Sequence, residues 1–316
     1  MGNASLNQSA EPIVAIVGPT ASGKTALAVE LAERFGAEVI NADSRQVYRG
    51  LDIGSAKPTF LERQRVPHHV VDVAEPEEEF HCARFLELAE EAIADVYARG
   101  RRVLVVGGTG LYVRVLRGGL FPGPGRDPEF RRHWYAREQQ EPGILHRELT
   151  KVDPQTASRL HPRDRVRLVR ALEVYHKTGR PISWWQAQHR FTSGRHAIVL
   201  LGVEVPRGEL YQRIEARSRA MIEAGLVEEL RNLYARGLSP ELPALQSLGY
   251  REIGAYVRGL TSLDEALSRM VRATRQFAKR QLTWFRREPV QRWMPPALPV
   301  WEQELARFWS KGNRTV

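Results

Sequence analysis

The chain has 316 residues, with 47 Lys+Arg against 37 Asp+Glu for a net charge of +10, and it is 42% hydrophobic. That length suits about two domains, and the apolar share excludes a disordered composition. A single cysteine excludes an intramolecular disulfide and an all-cysteine zinc cage, and no apolar run approaches the ~20 residues of a membrane-spanning helix.

The first twelve residues, MGNASLNQSAEP, are polar and lack a signal-peptide core, so the expected location is cytoplasmic. The MGNASL start formally fits a myristoylation pattern. Without a second membrane signal it reads as a polar leader. Ile13 to Val17 form an apolar run, followed by GPTASGKT and a helical pattern from Thr25 to Phe35. Glu38 to Ala42 read as a second strand ending at Asp43, expected beside the first, and His69 to Val73 as a third. Phe85, Leu88, Ala89, Ala92, Ile93 and Val96 recur at helical spacing, which predicts a helix over 81–99 closed by Gly100. Val103 to Val106 form an unbroken apolar run, the mark of a buried parallel strand, and GGTG then opens another helix.

The pattern changes at the turn-rich seam 118–125. From Asp127 to about Gln188 only helical periodicity and turn signals occur, and His196 to Val203 read as a strand again. Long helices are predicted at about 207–236 and 262–286, with a short strand near Val290–Trp293. The expected fold is α/β, a P-loop parallel sheet core formed by residues 1–119 and 196–316, with a helical insertion domain at 120–195. Charge follows this division. Residues 1–125 carry a net −3 and residues 126–316 a net +13, with +7 in each of 131–190 and 251–316. Such a split suggests surfaces that face a polyanion.

Gly18-Pro19-Thr20-Ala21-Ser22-Gly23-Lys24-Thr25 fits G-x-x-x-x-G-K-[ST] between a strand and a helix. Its backbone N–H groups and the helix dipole suit a phosphate, Lys24 adds a point charge, and Thr25 can hold Mg²⁺. Asp43, at a strand's carboxyl end, could hold magnesium, act as a base, or cap the next turn. The fourth strand ends in Gly107-Gly108-Thr109-Gly110 rather than the metal-holding Asp of a P-loop ATPase. That ending weakens an ATPase reading and favours a loop that admits something bulky. His68, His69, His81 and Cys82 fit no standard zinc spacing, so structural roles are expected for them. Trp184, Trp185 and Trp284 are candidates for stacking on bases or for core packing. Arg163, Arg167 and Arg170 share a helical face, either a phosphate rail or a solvated surface.

GPTASGKT, INADSRQVYRGLDIGSAKP, VGGTGLY, RLVRALEVY, LGYREI and ATRQFAKRQLTWFR, in that order, resemble the bacterial tRNA dimethylallyltransferases. The resemblance runs from about Ile13 to Trp293. It implies transfer of a dimethylallyl group from its diphosphate to the exocyclic amine of the adenosine 3′ of the anticodon, in tRNAs that read codons beginning with U. It implies a loop Gly18–Thr25 that cradles the diphosphate with Mg²⁺, and Asp43, Thr20 and Arg217 as catalytic residues. It also implies tRNA contacts from Asp43, Ser44, Arg45, Gln46, Thr109 and Arg131, and from Val166, Arg167, Leu168, Val169 and Arg170. Further contacts are implied for Gln246, Ser247, Leu248, Gly249, Tyr250 and Arg251, and for Lys279, Arg280, Gln281, Trp284 and Arg286. The partners it implies are the tRNA anticodon stem-loop and dimethylallyl diphosphate, without a membrane, for a monomer. A small-molecule kinase and a non-catalytic RNA-binding module are the alternatives that the P-loop alone would allow.

Overall fold

The computed structural model describes residues 11–189 and 196–309, so the leader with its MGNASL start lies outside it. Internal contacts divide the chain into two units, Met1–Arg117 with His196–Val316, and Gly118–Arg195.

In the first unit, β1 (Ile13–Val17), β2 (Ala37–Asn41), β3 (His68–His69), β4 (Arg102–Gly107), β5 (Ile198–Val203) and β6 (Val290–Met294) form one sheet in the order β3-β2-β4-β1-β5-β6. Every pairing in it is parallel. β1 is buried along its whole length, as a strand covered on both faces must be. Before the second unit come α1 (Lys24–Phe35), α2 (Phe60–Arg65), α3 (Cys82–Ala98) and α4 (Gly110–Gly118). The second unit contains α5 (Pro128–Gln140), α6 (Ile144–Val152), α7 (Pro154–Ala157), α8 (Arg165–Thr178) and α9 (Ile182–His189). Its core joins Leu145, Leu149, Leu168, Val169, Leu172, Val174 and Ile182. The chain then adds α10 (Arg207–Glu223), α11 (Leu226–Ala235), α12 (Tyr250–Val257), α13 (Leu263–Phe285) and α14 (Leu298–Phe308) to the first unit. Among the described residues, no helix is long and apolar enough to cross a membrane.

Several elements depart from the sequence expectation. The third strand stops at His69, because Val70 and Asp72 take positive φ angles of 60° and 56°. Asn41 Nδ2 donates to the Val70 carbonyl (3.0 Å), and the Asp72 carboxylate accepts from Lys57 (2.6 Å) and Arg63 (2.7 Å). These bonds hold the turn against the strand preference of a β-branched residue. β2 does not adjoin β1, since β4 lies between them. The predicted helix at 207–236 is two, broken at Ala224–Gly225. α14 had no strong signal, yet its Trp301 and the adjacent Trp309 are fully buried.

Candidate active site

The loop between β1 and α1 places its backbone by two devices. Gly23, at the N-cap of α1, has φ 88°, a region that glycine enters without a side-chain penalty. Lys24 Nζ donates back to the Pro19 carbonyl (2.6 Å) and to Ser22 Oγ (3.4 Å), closing the loop on itself. Burial, together with repulsion from Arg217 and despite attraction to Asp43, pushes the Lys24 ammonium down to about 7. The Arg217 guanidinium is pushed down by burial as well, and Asp43 opposes that shift. Arg217 makes no hydrogen bond or ion pair among the described residues. Two desolvated cations that form no ion pair among the described residues and share one nearby carboxylate, Asp43, are what an anion site presents before its ligand arrives.

Asp43 follows β2. Its Oδ1 accepts from Arg45 N–H (2.8 Å), so the carboxylate does cap the next turn, as one of its readings held. Thr109 fastens this turn to the end of β4. Its N–H donates to the Ala42 carbonyl (3.1 Å) and its Oγ1 accepts from Ser44 N–H (3.0 Å). The bulky groups that approach the glycines here are the protein's own. A Cβ at Gly108 would collide with Gln281 Nε2, and one at Gly110 with the Trp284 indole.

Two cavities of about 520 and 510 Å³ meet at this turn. Thr20 to Thr25, Asn41, Lys57, Arg213 and Arg217 line the first. Ser44, Arg45, Thr109, Gln246, Leu248, Phe277 and Arg280 line the second. Thr20, Ala21, Asp43, Ser55 and Arg217 form a wall common to both. The segment that carries Ser55 is anchored from outside the site. Glu229 accepts from the N–H groups of Asp52 (3.1 Å) and Ile53 (2.8 Å) and from the Tyr250 hydroxyl (2.6 Å). The Lys57 ammonium ties Asp52, Asp72 and the Tyr48 carbonyl together.

Mg²⁺ fits this donor set in one way. Thr25 lines the first cavity with a hydroxyl that makes no hydrogen bond among the described residues. No group of three His, Cys, Asp or Glu that could hold a metal occurs among those residues. The ion would therefore need phosphate oxygens and water besides Thr25, the usual coordination of Mg²⁺ on a diphosphate.

A family model described as IPP transferase matches residues 46–288, and one described as isopentenyl transferase matches residues 11–69. The chain belongs to the IPP transferase family. It is 54% identical over 278 residues to the tRNA dimethylallyltransferase of Geobacter metallireducens, covering 87% of this chain and 90% of that one. With the tRNA dimethylallyltransferase of Anaeromyxobacter dehalogenans it shares 50% identity over 296 residues, or 93% and 98% of the two chains. Among solved structures, the tRNA isopentenylpyrophosphate transferase of Bacillus halodurans aligns with TM-score 0.69 at 39% identity, covering 95% of each chain. A eukaryotic dimethylallyltransferase, described as acting on tRNA, aligns with TM-score 0.74 at 32% identity over 87% of this chain and 70% of that one.

Within this IPP transferase the segments expected to touch tRNA divide into two groups. Ser44, Arg45, Thr109, Gln246, Leu248, Arg251 and Arg280 line the second cavity. Lys279 and Arg286 line a surface groove beside α10. Val166 and Arg167 stand exposed on α8. The other positions correct the expectation, because their side chains are committed inside the fold. Leu168 and Val169 are fully buried in the core of the second unit. Ser247 and Tyr250 also line the second cavity and Gln46 the first, but Tyr250 is fully buried, Ser247 donates to the Ala244 carbonyl (2.5 Å), and Gln46 donates to the Ala56 carbonyl (2.9 Å). Gly249 caps α12 and offers no side chain. Gln281 is buried, and the Trp284 ring lies 4.3 Å from the Arg114 guanidinium.

Arg167 and Arg170 of the arginine face, and Arg131 on α5, stand in different surroundings. The buried Glu173 carboxylate accepts two bonds from Arg131 (2.8 and 2.7 Å), one from Arg170 (2.5 Å) and one from Asp127 N–H (2.7 Å). Burial alone would raise its pKa, but the bonds from Arg131 and Arg170 prevail and pull it down to about 2. Arg131 and Arg170 therefore hold the second unit together, while Arg167 pairs, among the described residues, only with Asp164 beside it (3.1 Å). Of the tryptophans, Trp185 donates to Thr178 Oγ1 (3.2 Å) inside the unit and Trp184 is partly exposed. His69 bonds Glu38 and His81 caps α3. Sequence reading missed Arg213, whose Nη1 reaches the Ser22 carbonyl (3.4 Å); its place four residues before Arg217 was the available signal. It also missed Phe277, four residues before Gln281, as an apolar wall of the second cavity.

Proposed function

We propose that this chain transfers the dimethylallyl group of dimethylallyl diphosphate to the exocyclic amine of the tRNA adenosine 3′ of the anticodon, in tRNAs that read codons beginning with U. The observation that carries this reading is the wall shared by the two cavities, where Thr20, Asp43 and Arg217 face both. A donor over the phosphate loop and an extruded base between Phe277 and Leu248 would meet there and nowhere else in either cavity. A base in a stacked loop hides its amine, so extrusion is required, and an apolar ring such as Phe277 suits the extruded face.

The chemistry follows from those positions. The amine nitrogen forms a bond to the first allylic carbon as the carbon–oxygen bond to the diphosphate breaks. The bonding pair leaves with the diphosphate, and the amine proton passes to the Asp43 carboxylate. Lys24, Arg217 and the loop N–H groups stabilise the charge that grows on the departing oxygen. Thr25 would hold Mg²⁺, which supplies further charge neutralisation to the diphosphate. Asp43 orients the amine and removes the proton, and placement of two reactants across a common wall supplies much of the rate.

The test is mass spectrometry of tRNA incubated with the full-length protein, Mg²⁺ and dimethylallyl diphosphate. One dimethylallyl group should appear on the adenosine 3′ of the anticodon. RNA-stimulated ATP hydrolysis with no mass gain on the RNA would overturn the assignment.

A further inference from the structure

Gln281 lies in a segment whose neighbours Lys279 and Arg280 are solvent-facing, yet its own side chain turns inward from α13. Its Oε1 accepts from the Thr20 N–H at 2.8 Å and its Nε2 donates to the Gly108 carbonyl at 3.0 Å. Partners of opposite kind leave one orientation of the amide. A hydroxyl also donates and accepts, but through one atom, whereas the amide meets the two partners with separate atoms and without titration. The fit is close, because a Cβ at Gly108 would collide with Nε2.

The peptide it holds is the sensitive one. Thr20 lies on the wall shared by the two cavities, and the next residue, Ala21, takes φ 62°, a conformation that a residue with a side chain rarely adopts. Among the described residues the N–H of this Pro19–Thr20 peptide has no acceptor but Gln281, so without it the peptide is held only at its carbonyl end, by Lys24 Nζ (2.6 Å). Its rotation would swing the Thr20 hydroxyl and the neighbouring loop N–H groups away from the donor. Gln281 also ties the loop to the end of β4, whose Thr109 fastens the Asp43 turn. One side chain thus sets the distance between the two halves of the reaction centre.

We propose that Gln281 is a positioning residue for the transfer reaction, acting through the Thr20 peptide and the Gly108 carbonyl rather than by contact with tRNA. The proposal rests on the transferase reading of the site. Displacements near 1 Å in a reacting pair cost up to ~10²-fold in rate, so loss of the clamp should appear in kcat.

The experiment compares Gln281→Leu and Gln281→Glu with the wild type as full-length proteins. For each it measures kcat, KM for both substrates, tRNA Kd, the thermal midpoint, and binding of inorganic diphosphate by calorimetry. Gln281→Leu should lower kcat by about 10- to 100-fold and weaken inorganic diphosphate several-fold, with tRNA Kd unchanged within about twofold. Gln281→Glu keeps the acceptor for Thr20, and once protonated its carboxyl can also donate to Gly108. Its activity relative to the wild type should therefore rise as the pH falls. Lys24, Asp43 and Arg217 face the same cavity and a carboxylate at 281 would shift Lys24, so the ratio is read below about pH 6, where Lys24 is charged in both proteins. A raised tRNA Kd at unchanged kcat would overturn the proposal in favour of a tRNA contact. A lowered thermal midpoint with normal kcat would overturn it in favour of packing alone. Should Gln281→Leu fail to fold, a flat activity ratio for Gln281→Glu across pH overturns it. If the wild type transfers no prenyl group, the transferase reading fails; undiminished diphosphate binding by Gln281→Leu would then refute the clamp separately.

Discussion

Replacing Glu173 with glutamine tests whether Arg131 and Arg170 build the second unit or serve the nucleic acid directly. The carboxylate is fully buried, with Arg131 16% and Arg170 31% exposed beside it. Its fall from 4.5 to about 2 corresponds to about 3 kcal/mol of preference for the charged, bonded state. Both arginines reach solvent, so screening reduces the net contribution to about 2 kcal/mol. Glutamine keeps the volume but loses the charge and faces guanidinium groups with an amide N–H₂. For a unit of this size that loss should lower local stability enough to raise amide exchange of residues 127–178 by about 30-fold. Hydrogen exchange with mass spectrometry on the full-length protein reads this directly, and the first unit serves as the internal control. The pH dependence has a definite sign. A carboxyl depressed in the folded state contributes fully above about pH 4.5, and its contribution disappears as the pH falls toward 2. The wild-type unit should therefore lose protection through that window and Glu173→Gln should not. Arg170→Ala should behave like Glu173→Gln. Arg167→Ala should leave exchange unchanged and shallow the salt dependence of tRNA binding by about 0.7 in log–log slope per lost contact. Unchanged protection in Glu173→Gln and Arg170→Ala, with weaker tRNA binding in both, would refute the structural assignment.

Asp43→Asn should lower kcat by about 10²- to 10⁴-fold with little change in tRNA Kd, measured by single-turnover prenylation. Asparagine keeps an oxygen for the Arg45 N–H, so it preserves the turn that Asp43→Ala would lose; near-normal kcat in Asp43→Asn would mean that Asp43 orients the base without taking its proton. With Lys24 at about 7 in the free enzyme, binding of dimethylallyl diphosphate at pH 8 should take up most of a proton. Affinity should be full below about pH 7 and fall as the pH rises through it. Calorimetry in buffers of different ionisation enthalpy measures the uptake, Lys24→Ala supplies the baseline, and zero uptake in the wild type would show that Lys24 is already charged.

Local signals carried most of the fold and half of the site. The loop Gly18–Thr25 was legible because its spacing, strand and helix all lie within about twenty residues, and β1 and β4 because parallel strands buried on both faces admit no polar break. β3 was over-read because three valines in 69–73 favour a strand, while Lys57 and Arg63, which pull Asp72 into a turn, lie outside that window, 15 and 9 residues before Asp72. The resemblance implies tRNA contacts along the whole of 166–170, but a helix turns each residue by about 100°. Leu168 and Val169 consequently face the core, Arg170 faces Glu173, and only Val166 and Arg167 remain outside. Nothing in the sequence near Glu173 announces that two arginines converge on it, since Arg131 lies 42 residues away.

The glycine-rich end of β4 shows how a sequence signal can be right in kind and wrong in object. Three residues without a side chain, Gly107, Gly108 and Gly110, imply that something comes close to the backbone. The structure fills that space with its own groups: the Ala42 backbone against Gly107, Gln281 against Gly108 and Trp284 against Gly110. Two of the three come from α13, so the seating of this helix helps set the spacing between the phosphate loop and the Asp43 turn. A side chain at any of these glycines would displace α13 or the turn rather than block a ligand. The space after β4 where a P-loop ATPase carries a metal-binding carboxylate is thus given over to fixing the wall between two cavities. That use suits a reaction whose difficulty lies in bringing a buried amine to an allylic carbon rather than in polarising a phosphoryl group for attack.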